Sequence, residues 1–375
     1  MRQERFSKII NLIVLLLVMV AGLFLFFSFG FNYSRNSEEI PQIVFSPKLD
    51  FLSQPEKIIN HPLPAIAVVK SPLRFLFFGD LMLDRSVGAR LKNKKVDFLL
   101  AGLASSTDLS QFDLIGANLE GAVTNEGRHY APEMSFDFAF PPSRIAELKK
   151  YNFSYFTIAN NHITDQGALG LQETRVNLNT LGFNYSGDAD AQISENSLKL
   201  VTINDKKIAL IALSMVYHNF NLAQAKKIIE DARGQADWVV VNIHWGSEYQ
   251  HNYSLGQQKI GRELIDSGAD IIIGHHPHVV QGMEIYKKRP IFYSLGNFIF
   301  DQYFSPDTQE GLGIELELTD DQIKIGINPL RSESSVVNPM REDKKEKFLE
   351  NFSTWSKADQ VLEGQIMAQT INIAK

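Results

Sequence analysis

The stretch DIIIGHHPH, residues 270–278, decides the fold of this chain. Three isoleucines lead into Gly274, and polar side chains follow at once. A short β-branched run that stops in this way is typical of a buried β-strand that opens into a loop. The same pattern recurs in RFLFFGD (74–80), DLIGANLE (113–120), YFTIANNH (155–162), WVVVNIHWG (238–246) and PIFYSLGNF (290–298). We therefore predict six strands, each with polar residues at its carboxyl end.

Segments with helical periodicity lie between these strands. Apolar residues are spaced by three and four in PSRIAELKKY (142–151), LGLQETRVNLNTLG (169–182), LAQAKKIIEDARGQ (222–235) and LGQQKIGRELIDSG (255–268). Alternating strands and helices predict an α/β domain, in which sites form at the carboxyl ends of the strands. GLGIELELTDDQIKIGINPL (311–330) predicts a β-hairpin with Asp320 and Asp321 in its turn.

The N-terminal part of the chain has a different composition. The run at 9–31 contains 23 residues without a charge, which is enough to cross a hydrocarbon core of about 30 Å. Arg2, Arg5 and Lys8 precede it, so the positive-inside tendency places the N-terminus in the cytoplasm. We predict a single-pass protein of the cell membrane with most of the chain outside the cytoplasm. A cleaved signal peptide and a buried core helix are the alternatives.

These patterns divide the chain into four parts. Residues 1–31 are predicted to be a cytoplasmic stub and transmembrane anchor. Residues 32–70 mix prolines, polar and apolar residues without periodicity, which indicates a tether. Residues 71–335 contain the α/β domain. Residues 336–375 are predicted to form a helical tail that caps the domain or binds a partner.

Charge and cysteine content exclude several functions. Residues 1–35 carry a net charge of +3, so the rest of the chain carries −9 of the total of −6. An acidic body argues against nucleic acid as a general partner. The chain contains no cysteine, which excludes disulfides, cysteine-ligated zinc, iron–sulfur clusters and thiol nucleophiles. Any metal must therefore be bound by His, Asn and carboxylates.

Candidate metal donors follow several of the predicted strands. They are Asp80, Glu120, Asn160, Asn161, His162, His244, His275, His276 and His278. Taken singly, an Asp or Asn there is usually a turn former or helix cap, and a His is usually a hydrogen-bonded partner. Their recurrence at one edge of the sheet predicts a site for one or two divalent ions. Nitrogen and oxygen donors without sulfur are compatible with Mn, Fe, Zn or Mg.

Other residues in the same loops are candidates for substrate binding. They are Arg85, Asn160, Trp245, Glu248 and Asn297. Arg85 could pair through two hydrogen bonds with a phosphate or a carboxylate. The alternative for each is a packed or solvated loop residue. A Walker-type loop, a Rossmann fingerprint and a Gly-x-Ser-x-Gly elbow are absent from the sequence, so ATP-driven ligation by this chain alone is unsupported.

Six motifs, spread over about residues 73 to 330, resemble in order those of the CapA family of poly-γ-glutamate capsule biosynthesis proteins. They are GDLMLDR (79–85), NLEG (118–121), NNHITDQG (160–167), HWGSEY (244–249), GHHPHVVQG (274–282) and SLGNFIFDQ (294–302). This family resembles a branch of the calcineurin-like metallophosphatase superfamily. The resemblance implies a metallophosphatase-like α/β/β/α sandwich.

The resemblance also implies a metal ligand set, with two departures. Met82 stands where the superfamily usually has a metal-binding His, and Glu120 stands where it has a bridging aspartate. The donors carried over to one site are Asp80, Glu120 and His278. Those carried over to the other are Glu120, Asn161, His244 and His276. The loss of a His donor at Met82 should weaken the first site.

The chemistry that the resemblance implies is metal-assisted hydrolysis of a phosphoester. His162 would act as the general acid or as a donor that stabilises the oxyanion, and Asp165 would orient it.

Three functions remain open at this point. The first is a membrane-anchored component of capsule polymer synthesis or export that works with membrane-bound synthesis proteins. The second is a free-standing metal-dependent hydrolase of a phosphoester or a cell-envelope polymer. The third is a metal-binding scaffold without catalytic activity.

Overall fold

Two β-sheets face each other across a shared apolar core in the computed structural model, which describes residues 71–132 and 135–375. The strands are β1 (Leu73–Leu81), β2 (Leu114–Leu119), β3 (Ala122–Val123), β4 (Ala139–Phe140), β5 (Phe153–Thr157), β6 (Asn184–Ser186), β7 (Leu198–Ile203), β8 (Lys206–Ser214), β9 (Trp238–His244), β10 (Ile271–His275), β11 (Val280–Tyr286), β12 (Arg289–Leu295), β13 (Asn297–Ile299), β14 (Glu310–Leu318), β15 (Gln322–Glu333), β16 (Val336–Pro339) and β17 (Thr370–Ala374).

The helices lie mostly between these strands, as the sequence predicts. They are α1 (Arg85–Leu91), α2 (Asp97–Ser106), α3 (Pro142–Ala146), α4 (Gly167–Thr180), α5 (Leu222–Arg233), α6 (Leu255–Asp266), α7 (Glu342–Ser356) and α8 (Gln360–Met367). Short 3-10 helices span Leu109–Gln111, Asn125–Gly127, Glu147–Tyr151, Glu195–Ser197 and Asp307–Gln309. Helix α6 begins with a capping box in which Ser254 and Gln257 each bind the other's backbone N–H.

The first sheet has the order β16-β15-β14-β1-β2-β5-β6, with β13 also paired to β1 and β17 to β15. Its strands β1, β2, β5 and β6 are parallel. The second sheet has the order β11-β12-β10-β9-β8-β7, and β8, β9, β10 and β12 are parallel. Strands β3 and β4 form a small separate pair. Parallel strands bring their carboxyl ends to one edge of a sheet, where the sequence predicts the site.

The layers follow from which side chains each apolar cluster contains. Phe77 of the first sheet and Val240 of the second belong to the central cluster between the sheets. Val241, the next residue along β9, faces the opposite way and packs with Leu264 of α6. On the outer face of the first sheet, Leu99 of α2 joins a third cluster. The predicted mixed α/β fold is confirmed, with α2 on the outer face of the first sheet and α6 on the outer face of the second.

The prediction for residues 336–375 needs a correction. Helices α7 and α8 are present, but β16 and β17 also lie in this segment and both pair with β15 of the first sheet. Phe352 and Ile373 are buried in the central cluster. The segment is therefore an integral part of the domain and not a separate tail, because its strands and apolar side chains complete the sheet and the core.

Within residues 71–132 and 135–375, no helix is both long enough and apolar enough to cross a membrane. The predicted anchor at 1–31 and tether at 32–70 lie outside the described residues.

Candidate functional site

The carboxyl ends of β1, β2, β9 and β10 carry the predicted metal donors. Asp80 lies near the end of β1, Glu120 follows β2, and His244 and His275 stand side by side in the pairing of β9 with β10. Gly79 precedes Asp80, and the Gly296 carbonyl oxygen lies 1.8 Å from the position that a Cβ at Gly79 would occupy. Only a residue without a side chain permits this close approach, which supports the loop around Asp80.

Asp80, Glu120 and His278 form one group of candidate donors. Their donor atoms all lie within 4.8 Å of one another, as the first predicted ligand set requires. All three residues are buried, and Glu120 Oε2 has no hydrogen-bond partner in the described part of the chain. A buried oxygen without a partner is costly, and a divalent ion would satisfy it. The donor set and the unpartnered oxygen fit a bound divalent cation.

The pKa shifts of the two carboxyl groups, Asp80 and Glu120, also fit a bound cation. Burial and then the neighbouring Asp80 raise the pKa of Glu120 well above its usual range. Burial alone would also raise the pKa of Asp80, but His278, with His275 and Asn118, together outweigh it, and the pKa is lowered. Without a cation, one carboxyl group is thus favoured as the acid and the other as the anion. A divalent ion would allow both to ionise.

Asn118 connects this group to the rest of the site, and it was not among the predicted site residues. Its Nδ2 donates to Asp80 Oδ1 over 2.8 Å and to Glu120 Oε1 over 3.1 Å, and lies 3.2 Å from His244 Nδ1. Its Oδ1 accepts a hydrogen bond from Asn160. A signal was present in the sequence, since Asn118 and Glu120 are two residues apart and so face the same side of β2.

The second predicted ligand set is brought together in part. His244 Nε2 and Asn161 Oδ1 are 2.7 Å apart, and the rings of His244 and His276 have centroids 4.7 Å apart. Burial lowers the pKa of His244 well below its usual range and lowers the pKa of His276 to about 4. His276 Nδ1 has no hydrogen-bond partner in the described residues. These imidazoles are therefore neutral at physiological pH, the form that binds metals.

His275, whose role the sequence leaves open, lies next to Asp80. It is buried, its Nε2 lies 3.3 Å from Asn242 Oδ1, and its Nδ1 lies 3.6 Å from Asp80 Oδ1. Burial lowers the pKa of His275 to about 4. The neutral ring is therefore a buried neighbour of Asp80.

The backbone of residues 275–278, called the His-rich loop, is strained. His276 has a φ of 99° and His278 a φ of 56°. Residues with a Cβ adopt such angles at a cost of about 1–3 kcal/mol, and they do so mainly where the surrounding structure fixes them at functional sites. Hydrogen bonds fix this loop, since the His276 N–H donates to Asp80 Oδ2 over 3.3 Å and His278 Nδ1 lies 2.9 Å from Asn297 Oδ1.

The structure places His162 and Asp165 together. His162 Nδ1 and Asp165 Oδ2 are 2.8 Å apart, and the imidazole packs on the ring of Phe138 with centroids 4.2 Å apart. Asp165 also accepts a hydrogen bond from the Phe138 N–H. Burial raises the pKa of Asp165, while its contact with His162 opposes this. The contact with Asp165 and the packing on Phe138 thus fix the orientation of the His162 ring through Nδ1.

Three of the predicted substrate-binding residues are buried and hydrogen-bonded within the protein. Trp245 is 0% exposed and its indole N–H donates to the Tyr293 carbonyl. Asn160 donates to Asn118 and to the Leu119 carbonyl. Asn297 lies against His278 and donates to the Thr308 carbonyl. Asn160 and Asn297 instead hold residues of the site in position, and Trp245 belongs to the core outside the second sheet.

Arg85 and Glu248 are accessible, as substrate contacts would have to be. Arg85 uses Nε and Nη2 on Asp301, at 3.1 and 2.6 Å, so the paired fork predicted for a substrate is already engaged. Glu248 is exposed, and its donor atom lies within 4.8 Å of those of His276 and His278.

Aromatic residues lie beside the candidate donors, since Tyr217 interacts with Asn161 and the ring of Tyr249 stacks on that of His278. Tyr217 is 70% exposed and Phe304 is 68% exposed. Tyr249 is packed edge-on against Phe304, with ring centroids 5.3 Å apart. Burial and then the charge of Glu248 raise the pKa of Tyr249 to about 12. A ligand at the metal donors would therefore also meet aromatic rings.

Comparisons with known proteins identify related sequences. Residues 74–302 match the family model described as Bacterial capsule synthesis protein PGA_cap. The chain is 28% identical over 331 residues to the capsule biosynthesis protein CapA of Bacillus anthracis, covering 80% of each chain. It is 32% identical over 240 residues to the PGA biosynthesis protein CapA of Bacillus subtilis (strain 168), covering 60% of this chain and 63% of that one.

Solved structures give more distant likenesses. A protein described as a novel phosphatase from Mycoplasma pneumoniae has a TM-score of 0.43 at 14% identity, over 72% of this chain and 92% of that one. A hypothetical protein from Thermus thermophilus has a TM-score of 0.42 at 14% identity, over 72% of this chain and 96% of that one. The family match spans β1 to β13 and contains the donor residues Asp80, Glu120, His244, His276 and His278. The chain therefore belongs to the bacterial capsule synthesis protein family PGA_cap.

Proposed function

We propose that this protein acts in the synthesis or export of a poly-γ-glutamate-like capsule polymer and carries a metal-dependent, phosphoesterase-like site on a metallophosphatase-like α/β/β/α sandwich. The observation that carries the proposal is the buried group of Asp80, Glu120 and His278, in which Glu120 Oε2 has no partner in the described residues. The names of its relatives, which concern capsule and PGA biosynthesis, support the biological context.

The ions would be held by residues from both sheets. Asp80, Glu120 and His278 would hold one ion, and Asn161, His244 and His276, with Glu120 as a shared ligand, would hold the other. When bound, divalent ions supply Lewis acidity toward a phosphoryl oxygen and a strong oxygen nucleophile at neutral pH.

The protein's own groups supply the proton chemistry. Asp165 holds His162 Nδ1 over 2.8 Å and so fixes the orientation of the ring. His162 can then carry a proton on Nε2 and donate it to a leaving oxygen, which is the role of a general acid. Phe138 packs on the ring and limits access of water to that side.

We further propose that the domain is anchored outside the cytoplasmic membrane through residues 1–31 and works with membrane-bound synthesis proteins. The uncharged run at 9–31 and the basic residues before it support this placement. Protease treatment of intact cells after removal of the wall should degrade the domain. Its survival until the membrane is broken would contradict the proposal.

A non-catalytic metal scaffold is a second candidate, favoured by Met82. This side chain is 0% exposed in the apolar cluster outside the first sheet, and its sulfur accepts a hydrogen bond from the Asp84 N–H over 2.9 Å. It therefore gives the site no nitrogen donor.

Two measurements on the purified full chain test the proposal. Elemental analysis should find metal in the wild type and little in the Glu120→Gln/His276→Ala double variant. With added Mn²⁺, hydrolysis of a generic phosphodiester should fall by about 10²-fold or more in His162→Ala and stay unchanged in His218→Gln, whose ring is exposed and pairs with Asp190. A metal-free wild type would contradict the metal site. Activity that is equal in wild type and His162→Ala would contradict the catalytic role.

Capsule polymer content separates the enzyme from the scaffold. A deletion strain complemented with His162→Ala should make little polymer if catalysis is required. Full restoration by this variant would contradict the enzymatic function and leave the scaffold.

A further inference from the structure

We propose that Glu248 is a metal ligand, and that with His276 and His278 it forms an outer cation position at the entrance of the site. The inference rests on the metal-dependent function proposed above. The ligand set carried over from the family resemblance does not include this residue.

The first step is distance. The donor atoms of Glu248, His276 and His278 lie within 4.8 Å of one another. One ion placed between them could therefore be coordinated by all three. Two imidazoles and one carboxylate are a common donor set for Zn²⁺ in sites that keep a position open for water or substrate. His276 Nδ1 is buried and has no hydrogen-bond partner within the described residues, so the set contains a donor that a cation would satisfy.

The second step is the fixed position of the Glu248 loop. Hydrogen bonds join this loop to the His-rich loop at both ends, from the Trp245 N–H to the His275 carbonyl over 3.0 Å and from the Tyr249 N–H to the Pro277 carbonyl over 2.8 Å. Tyr249 has a φ of 62°, and its ring stacks on that of His278. The backbone on both sides of Glu248 is therefore held against the loop that carries His276 and His278.

The third step is charge. Glu248 is exposed, and Arg85 is paired with Asp301 and not with Glu248. His276 and His278 are 4% and 2% exposed, and Asp80 and Glu120 are both 0% exposed. The outer group thus contains an accessible carboxylate, that of Glu248, and the inner group contains the buried carboxylates of Asp80 and Glu120. His278 belongs to both groups. A cation that enters from solvent meets Glu248 first.

Binding of Zn²⁺ to the purified full chain tests this assignment. We expect Glu248→Gln to weaken Zn²⁺ binding at one position by about tenfold or more in competition with a chromophoric chelator. We also expect Glu248→Gln to alter the visible absorption of the Co²⁺-substituted protein, because a carboxylate ligand is lost. Glu346→Gln, an exposed Glu on α7, is the matched control and should match the wild type in both measurements. The metal-free melting temperature should be the same in all three proteins, since Glu248 is exposed.

The outcomes separate the two proposals. Unchanged affinity and an unchanged Co²⁺ spectrum in Glu248→Gln, with loss of binding in Glu120→Gln, would overturn the role of Glu248 and leave the inner site intact. A wild type that binds neither Zn²⁺ nor Co²⁺ would overturn both. Weaker Zn²⁺ binding together with an altered Co²⁺ spectrum in Glu248→Gln alone would support the outer position.

Discussion

Replacing Asn118 with Asp tests the electrostatics of the site most directly. The substitution keeps the shape of the side chain and changes an amide donor into a carboxylate. Asn118 is 0% exposed, and its Nδ2 donates to Asp80 over 2.8 Å and to Glu120 over 3.1 Å. The variant would put a third carboxyl group beside two others and turn two attractive contacts into oxygen–oxygen contacts.

The magnitude follows from those contacts. A hydrogen bond to a charged group contributes about 1.5–3 kcal/mol, and an unsatisfied buried polar group costs about 1–3 kcal/mol. Loss of the contacts to Asp80 and Glu120 should therefore lower the free energy of unfolding of the metal-free protein by about 3–5 kcal/mol. A divalent ion would screen the added carboxylate. Because metal also stabilises the wild type, the difference shrinks only as far as the variant binds the ion more tightly, by about 2.7 kcal/mol at saturating metal if the third carboxylate lowers the Kd about 100-fold.

Urea unfolding of the full chain, followed by tryptophan fluorescence at pH 8, measures this effect with EDTA and with Mn²⁺. The difference between Asn118→Asp and wild type should be large with EDTA and should shrink with Mn²⁺. Asn179→Asp, at an exposed position near the end of α4, should differ little from wild type in either condition. Equal destabilisation of Asn118→Asp with and without metal would refute the reasoning, because it would mean that no cation reaches the three carboxyl groups.

Three further predictions concern stability. Phe352→Ala should destabilise the domain by about 3–5 kcal/mol in denaturant unfolding, because this ring is 0% exposed in the central core. Phe304→Ala, at an exposed ring, should change stability by less than about 0.5 kcal/mol. Equal effects would contradict the conclusion that residues 336–375 are part of the domain. Trp245→Phe should cost about 1–2 kcal/mol, since it loses the indole hydrogen bond to a backbone carbonyl, and should leave the KM for a phosphodiester unchanged; a raised KM would restore Trp245 as a substrate contact. Burial lowers the pKa of His275 and of His276 to about 4, so at these rings the unfolded chain binds more protons than the folded one between about pH 6.5 and 4, and each should lower the stability of the metal-free protein by up to about 2 kcal/mol from pH 6.5 to pH 5. The raised pKa of Glu120 acts in the opposite direction over this range, so the profile is measured in EDTA on the Glu120→Gln variant, where a flat profile would show that the rings are already charged in the folded state.

Local sequence patterns were sufficient for the six strands that end in polar residues and for the β14–β15 hairpin, because a run such as DIIIGHHPH shows both the burial of β10 and the polar residues at its end; they did not predict β8 (Lys206–Ser214), an interior strand of the second sheet. They were insufficient for the orientation of single side chains. His244 and Trp245 are adjacent, so in an extended chain their side chains face opposite sides. Only the His244 side chain lies among the candidate metal donors, and that of Trp245 lies in the core outside the second sheet. This alternation was readable in the sequence and argues against Trp245 as a substrate residue.

Other features depend on contacts between distant parts of the chain. The closeness of Glu248 to His276 requires the hydrogen bond from the Tyr249 N–H to the Pro277 carbonyl, which joins two loops. The pairing of β17 with β15 similarly joins residues that are separated by α7 and α8. No periodicity within either segment specifies such a partner, so the C-terminal strands and the outer donor group could be found only in three dimensions.

The strand order of the first sheet has a consequence for how the protein is made. β1, which carries Asp80, lies between β2 and β14, and β14 must in turn pair with β15. A ribosome releases β1 early and β15, β16 and β17 last, and domains begin to fold as the chain emerges. One side of β1 therefore stays unpaired until most of the chain has been synthesised. An early stop codon after α6 would leave that strand open to pair with other chains, so truncated products of this gene should aggregate or be degraded rather than accumulate as shorter working proteins.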